Sequence, residues 1–232
     1  MKKAPMDILN ACLARGQKLQ HFTQTFTKLE RIGGKLEEKE AMFLKFRAEP
    51  LSIYMKWTGK THEGREIIYV EGENKNKAVL HEYIGPLNVL VKLDPDGAEA
   101  KKRSRRSVKQ AGIRNATKAL VDMSEKGRKR GDMRLTVLGV EKVDDRDAVV
   151  LCRLLEKRDD YCVYMTMIYI DPEYMLPVKV AGYGWDHKLA WVYTSSNIKA
   201  NVKLTDKDFD PKNPDYNYPG LVGFAWPFGK KK

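Results

Sequence analysis

The chain has 232 residues, of which 42% are hydrophobic and 32% are charged, a composition typical of a globular protein and one that excludes wholesale disorder. It contains no uninterrupted apolar run of about 18 or more residues, so no membrane-spanning helix is predicted. The formal net charge is +12, and nearly all of it comes from residues 101–130, which contain twelve Lys or Arg and only two acidic residues. Such a local excess favours an anionic neighbour.

The first predicted element is a helix from Pro5 to Leu19, in which apolar residues recur at spacings of three and four. Side chains then alternate with the period of strands. The predicted strands cover residues 21–31, 37–47, 51–57, 65–72, 78–83 and 89–93. Ser107 is a predicted N-cap for a second helix over 108–125. Further strands are predicted over 133–143, 148–156, 161–170, 175–183 and 189–195.

Consecutive strands joined by short turns imply an antiparallel sheet, and only two main helices are available to cover it. The predicted fold class is therefore α+β, with a single curved antiparallel sheet that forms an unclosed half-barrel of about 10–11 strands. The two helices are expected over the concave face. We expect a single domain over residues 1–220, followed by a flexible tail over 221–232.

The three cysteines are too few for a disulfide framework. Cys152 and Cys162 are symmetric about Lys157, so a hairpin centred there would place them opposite each other. The sequence leaves two alternatives open, a bridge between them or two half-buried thiols.

The order of motifs resembles the lipoprotein-carrier fold of LolA, LolB and their relatives. The resemblance lies in FTQTF at 22–26 after an amphipathic helix, the mid-chain helix, and YIDPEYMLPVKV at 169–180. Four blocks more narrowly resemble an uncharacterised family of exported, planctomycete-type bacterial proteins: EPLSIYMKW (49–57), GREIIYVEG (64–72), LDPDG (93–97) and NIKANVKLTDKDFD (197–210). That family has no assigned activity, so the resemblance implies a fold more than a function.

The carrier fold implies a hollow that is lined by apolar side chains and accepts acyl chains. Transferred to this sequence, the predicted lining is Met42, Leu44, Phe46, Ile53, Met55, Trp57, Met165, Met167 and Tyr169. Methionine at four of these nine positions suits an adaptable lining. The alternative is that these side chains only form the core beneath the helices, as most apolar strand positions do.

Signatures of enzymes are lacking. The four histidines lie far apart in sequence, and there is no HExxH, CxxC, GxSxG or P-loop motif. Carboxylates cluster at 144–147 and 159–160, both predicted turns, where turn chemistry explains them better than acid–base catalysis. We therefore expect no catalytic residues, no metal and no cofactor.

The basic segment has three interpretations: a solvated face, a surface for anionic lipid head groups, or a site for non-specific, salt-sensitive nucleic-acid binding. Candidate residues for an anionic surface are Lys101, Lys102, Arg103, Arg105, Arg106, Arg128, Lys129 and Arg130. Aromatic residues are absent from 101–130, so no platform for stacking bases is visible and no specific nucleic-acid partner is expected.

Together these features predict a non-enzymatic binding or carrier protein of the periplasm or cell envelope, whose signal peptide has been removed. It is expected to be a monomer that holds a hydrophobic, lipid-like or acylated ligand and lies near an anionic membrane surface. The alternatives are an envelope interaction module with a self-filled core, and a non-specific polyanion binder that acts through 101–130.

Overall fold

A computed structural model describes residues 4–219. The helices are α1 (Pro5–Gln17), α2 (Ala98–Lys101) and α3 (Ile113–Arg130). The strands are β1 (His21–Ile32), β2 (Lys35–Leu36), β3 (Glu40–Arg47), β4 (Ser52–Trp57), β5 (Glu66–Val70), β6 (Ala78–Ile84), β7 (Leu87–Leu93), β8 (Met133–Val143), β9 (Arg146–Leu155), β10 (Met165–Asp171), β11 (Leu176–Tyr183) and β12 (Leu189–Ala200). Three short 3₁₀ turns lie at Asn74–Asn76, Val108–Gln110 and Asp206–Phe209.

All strands belong to one antiparallel sheet with the order β7-β6-β5-β4-β3-β1-β12-β11-β10-β9-β8, and β2 pairs only with β1. Neighbours in the sheet are consecutive in sequence except where β1 pairs with β12 and where β1 pairs with β3 past the short β2. That pairing joins two arms, the β3–β7 arm and the β8–β11 arm. The end strands β7 and β8 do not pair with each other, so the sheet is unclosed. The predicted α+β half-barrel is confirmed, with twelve strands instead of ten or eleven.

The concave face of the β3–β7 arm is apolar along matched rows of cross-strand pairs. Met42 lies opposite Trp57, and Leu44 lies opposite Met55. These side chains are at most 7% exposed. Cross-strand pairs of large apolar side chains on one face are the unit by which a sheet is stabilised. The convex face of the same arm is also covered, because Tyr54 and Ile68 pack against Phe209 in the segment that follows β12.

Helices α1 and α3 pack against each other and against the β8–β11 arm. Leu9 and Cys12 of α1 and Leu120 of α3 form one buried cluster with Ile168 and Ile170 of β10. The two helices therefore cover the concave face of this arm. The other arm is covered instead by residues 95–112, here named the covering segment, of which Val108 and Ala111 pack on its core.

The second predicted helix is displaced toward the C-terminus. Ser107 caps the 3₁₀ turn at Val108–Gln110, and α3 begins only at Ile113. Gly112 causes the interruption because its φ is +87° and a Cβ there would lie 3.1 Å from the stacked rings of Phe22 and Phe46. At its C-terminus α3 continues past the predicted residue 125 to Arg130, where Gly131 ends it in the left-handed conformation.

Two predictions in the β9–β10 region need correction. The hairpin of β9 and β10 is centred between residues 159 and 160 and not on Lys157: residues 156–164 form the connecting loop, and β10 begins at Met165 rather than at 161. Cys152 therefore lies opposite Met167 and not opposite Cys162. Both cysteines are free thiols, Cys152 partly buried and Cys162 exposed. The predicted single domain over 1–220 stays a prediction, and the predicted tail at 221–232 lies outside the described residues.

Candidate functional site

A cavity of about 650 Å³ lies between the concave face of the sheet, the first half of α3 and the covering segment. Its apolar floor comes from β1 and the β3–β7 arm and consists of Phe26, Met42, Met55, Trp57, Ile67 and Leu80. On the opposite side, α3 lines the cavity with the small side chains of Ala116 and Ala119 and with Leu120 and Met123. The two alanines leave space between the helix and the floor. The volume lies in the usual range for small-molecule sites, about 300–1,000 Å³.

Three of the nine predicted lining residues line this cavity: Met42, Met55 and Trp57. Leu44, Phe46 and Ile53 have the same orientation but are at most 1% exposed, and they lie in the solid core beside the cavity. The cavity thus covers only part of the face of β3 and β4 that was predicted to line it. A ligand-binding role for the three cavity residues stays a prediction.

The structure places Met165, Met167 and Tyr169 away from the cavity. In β10 the buried side chains that pack toward the helices are those of Thr166, Ile168 and Ile170, so the predicted set lies on the other face of the strand. Successive strand residues point to opposite faces, so a shift of one residue in the predicted alternation assigns every side chain of the strand to the wrong face of the sheet. Both faces of this strand are apolar, which left its parity undetermined from the sequence.

Buried charges at the cavity wall are paired. The Lys28 Nζ lies 3.5 Å from a Glu30 oxygen and 3.2 Å from a Glu40 oxygen. The indole N–H of Trp57 donates a hydrogen bond to Glu40. All three charged side chains are at most 9% exposed. Such a pair remains stable in the interior only when its remaining polar atoms are also satisfied, and here they contact partners.

Glu30 of β1 also binds the covering segment to the sheet through hydrogen bonds. Its Oε2 accepts a hydrogen bond from the Ser104 hydroxyl at 3.0 Å and from the Arg105 backbone N–H at 3.3 Å. Its Oε1 accepts from the hydroxyl of Tyr193. Burial, together with the negative charge of Glu30, raises the pKa of Tyr193, so the tyrosine remains a neutral donor. One carboxylate thus connects β1, β12 and the covering segment.

Glu82 of β6 is a second residue that binds the covering segment to the sheet. The guanidinium of Arg103 in the covering segment contacts this carboxylate at 2.8 Å, and Arg65 forms an ion pair with its other oxygen. Burial by itself would raise the pKa of Glu82, but the hydrogen bond from Arg103 and the charge of Arg65 outweigh it, and the pKa is lowered. Glu82 is therefore ionised at neutral pH and holds both arginines.

The wall toward the β8–β11 arm combines aromatic rings with an arginine. Trp191 and Tyr193 of β12 are stacked with ring centroids 4.9 Å apart. The Arg106 guanidinium lies above both rings, 5.3 Å and 5.5 Å from their centroids. The indole occupies the place of a side chain at Gly182, because a Cβ there would overlap the Trp191 ring. Arg106 thus lies at the cavity wall, where cation–π contacts with both rings hold its guanidinium in place.

Arg153 of β9 also lines the cavity, although it is only 4% exposed. One terminal nitrogen donates to the Leu120 carbonyl oxygen at 3.0 Å and to the Ser124 hydroxyl at 2.9 Å, and the other donates to Thr166 Oγ1 at 3.0 Å. Its Nε is buried without a hydrogen-bond partner, and no carboxylate within residues 4–219 forms an ion pair with it. Burial, assisted by the positive charge of Arg106, lowers its pKa to about 10.

Sequence reasoning missed Arg153. The available signal was an arginine inside the apolar run VVLCRLL of a predicted strand. Charged residues are almost never fully buried without a specific partner. An arginine at an inward position of such a strand is therefore an unusual feature that merits a functional interpretation.

The eight residues predicted to bind an anionic surface fall into two groups, one at 101–106 in the covering segment and one at 128–130 in the last turn of α3. Four of the eight already form ion pairs: Lys102 with Glu99, Arg103 with Glu82, Arg128 with Glu125, and Arg130 with Asp160. Lys101, Arg105 and Arg106 line the cavity, and Lys129 is exposed. The local positive charge is thus smaller and less continuous than the sequence count suggests.

Two further features of the described chain bear on function. Among residues 4–219 no group of three or more His, Cys, Asp or Glu side chains is arranged to hold a metal ion. Within the same range, no helix has the length and apolar character needed to cross a membrane.

Several solved structures share the fold at low sequence identity. The Mycobacterium tuberculosis lipoprotein LppX is 14% identical with a TM-score of 0.51, and the match covers 88% of this chain and 100% of LppX. MucB, in its complex with MucA(peri), is 15% identical with a TM-score of 0.51 over 89% of this chain and 59% of MucB. An uncharacterised conserved protein from Thermus thermophilus is 11% identical with a TM-score of 0.50, and the match covers 89% of this chain and 93% of that protein. At these identities the likeness establishes the fold alone.

No curated protein sequence matches this chain. A family model does: it spans residues 19–218, which includes every strand of the sheet and the whole cavity lining. The expectation of an uncharacterised family is thereby confirmed, and the unclosed sheet confirms the half-barrel. The chain belongs to the family described as "Protein of unknown function (DUF1571)".

Proposed function

We propose that this protein is a non-enzymatic binding or carrier protein of the cell envelope that holds a hydrophobic, lipid-like ligand in the half-barrel cavity. The observation that supports this most directly is the cavity itself, about 650 Å³ above a floor of six large apolar side chains. An apolar chain placed there would remove those side chains from water, at about 25 cal/mol for each Å² of surface covered.

The same observation weighs against the alternative of a self-filled core. A self-filled half-barrel would leave no space of this size between its helix and the floor, whereas about 650 Å³ remains here. The fold of lipoprotein LppX supports a location in the envelope by analogy only. Nothing in the arrangement of the described residues favours polyanion binding, because half of the predicted basic residues already have acidic partners.

Filling the cavity tests the proposal. Ala119 is partly exposed toward the cavity, so Ala119→Phe should occupy the space without disturbing the sheet. Ala98→Phe is the matched control, since Ala98 is exposed in α2 and does not line the cavity. Native mass spectrometry of the gently purified proteins should detect a bound lipid on the wild type and on Ala98→Phe, and none on Ala119→Phe.

Binding of methyl dodecanoate, followed by the fluorescence of Trp57 and Trp191, gives a second readout with a defined ligand. We expect saturable binding by the wild type and a loss of at least about tenfold in Ala119→Phe. The proposal fails if the wild type carries no lipid and binds no apolar chain, or if Ala119→Phe binds as well as the wild type while it remains folded.

A further inference from the structure

We propose that the ligand is an amphiphile with one anionic oxygen head group, a carboxylate or a phosphate ester, and that the head group binds Arg153 while the apolar chain lies on the floor of the β3–β7 arm. This inference rests on the proposed function and adds the chemical class of the ligand. It starts from the uneven pairing of the charges at the cavity wall.

The cations of the floor each have a carboxylate counter-charge. Lys28 lies within 3.5 Å of two carboxylates. Arg65 forms an ion pair with Glu82, which it shares with Arg103, and its buried Nε has no hydrogen-bond partner within residues 4–219. By contrast, within the described chain neither Arg106 nor Arg153 forms an ion pair with an acidic residue, and both line the cavity. The cavity therefore has an excess of positive charge at one end.

Arg153 is the group at which an anion would have the largest effect. A guanidinium has five N–H donors, and three hydrogen bonds use three of them, which leaves Nε–H and one terminal N–H. All three acceptors are neutral oxygens. A buried cation without a counter-charge is unfavourable, and a carboxylate or phosphate would compensate it through two parallel hydrogen bonds to the planar fork.

The positions of the two ends give the amphiphile its orientation. Arg153 lies on β9, whereas the apolar floor is formed by β1 and β3–β6; β12, β11 and β10 separate them in the sheet order. In the curved sheet the two ends face each other across the cavity. Trp191 and Tyr193 of β12 form the wall between them. An anionic head at Arg153 would thus direct its chain toward Met55 and Trp57.

The test compares ligands with the same chain and different heads. The full protein is titrated with dodecanoate, dodecyl phosphate, methyl dodecanoate and inorganic phosphate, and binding is followed by tryptophan fluorescence and calorimetry. We expect the two anionic amphiphiles to bind roughly 10- to 100-fold more tightly than the ester, since a hydrogen bond to a charged group is worth about that factor. Inorganic phosphate should not bind at the same concentrations.

Arg153→Met should reduce the affinity for dodecanoate to that for the ester and leave the ester unchanged. Arg153→Lys keeps the positive charge but lacks the two parallel N–H donors of a guanidinium, so it should retain part of the preference for dodecanoate over the ester. It serves as a second variant if Arg153→Met does not fold. Arg134→Met is the matched control, because Arg134 is exposed on β8 and does not line the cavity.

The possible failures are distinct. If the wild type binds the ester as tightly as the acid, or if Arg153→Met keeps the preference for the acid, the inference is wrong while the proposed function stands. If inorganic phosphate competes as well as dodecyl phosphate, the site takes a free anion and the amphiphile is excluded. If no chain binds at all, the proposed function fails together with the inference.

Discussion

Replacement of Glu30 by alanine should release the covering segment from the sheet. The carboxylate is 3% exposed and accepts hydrogen bonds from Ser104, Arg105 and Tyr193, with Lys28 at 3.5 Å. Glu30→Ala removes these acceptors and leaves Lys28 with Glu40 as its counter-ion. Each buried donor left without its acceptor typically costs about 1–3 kcal/mol, so the loss of the Glu30 acceptors should cost about 3–5 kcal/mol in all. We expect a loss of that size in the free energy of unfolding, measured in urea.

The local effect distinguishes this explanation from general destabilisation. The backbone N–H of Arg105 donates to Glu30, so its hydrogen exchange is slowed as long as the covering segment stays docked. In Glu30→Ala, exchange over 104–112 should accelerate more than exchange in β3 or β12. Glu30→Gln keeps one acceptor oxygen and should lose less, about 1–2 kcal/mol.

Glu37→Ala serves as the control in a neighbouring position. Glu37 pairs only loosely with Lys35, at 3.9 Å, and both side chains are largely exposed. Its substitution should change the free energy of unfolding by no more than about 0.5 kcal/mol. The reasoning is refuted if Glu30→Ala costs less than about 1 kcal/mol, or if exchange at 104–112 is the same as in the wild type.

Three further predictions concern other parts of the molecule. Glu66 is fully buried; burial by itself would raise its pKa, but the neighbouring His81 ring, 3.5 Å away, and hydrogen bonds from the Asn217 N–H and Tyr54 outweigh it and lower the pKa below the ordinary 4.5. Its carboxylate therefore stabilises the fold above pH 4.5, and this contribution is lost as the pH falls through the lower native pKa. Glu66→Gln should show a flatter loss of stability between about pH 6 and 3, and equal slopes would contradict it. Gly182→Ala should push the Trp191 ring aside, lower the unfolding free energy by about 1–3 kcal/mol and change the near-ultraviolet circular dichroism. Met55→Gln should weaken binding of methyl dodecanoate at least about threefold, whereas Met167→Gln, on the other face of the sheet, should leave it unchanged.

The strand alternation predicted most of the fold, because period two is imposed by the backbone and is directly visible in runs such as Met42 to Arg47. It failed where the backbone departs from regular structure for reasons that come from distant residues. Gly112 interrupts the second helix because of the rings of Phe22 and Phe46, which are far away in sequence. In the loop at 156–164, the Tyr161 hydroxyl donates to Asp132, which precedes β8. Neither contact is visible before the chain is folded.

The site was predictable in part for a related reason. Alternation identifies which strand residues share a face, and this placed Met42, Met55 and Trp57 together. It does not reveal where along that face the covering segment packs directly on the strands, so Leu44, Phe46 and Ile53 were included although they do not line the cavity. The buried charges are harder still, because Lys28 and Glu30 look like ordinary surface residues until their partners are known, and Arg153 is marked only by its position inside an apolar strand.

The cavity follows from an imbalance in how the two arms are covered. Helices α1 and α3 occupy the concave face of the β8–β11 arm, where their apolar stripes meet Ile168 and Ile170. The β3–β7 arm has only the covering segment, whose one α-helix has four residues and presents no large apolar stripe. A hydrogen bond to Glu30 and an ion pair with Glu82 hold the covering segment away from the cavity floor. Since empty apolar space sacrifices both dispersion contacts and burial, such a gap is unfavourable unless something fills it. A ligand with an apolar chain and a negative charge would fill the space above the floor and would also give the buried Arg153 a counter-charge.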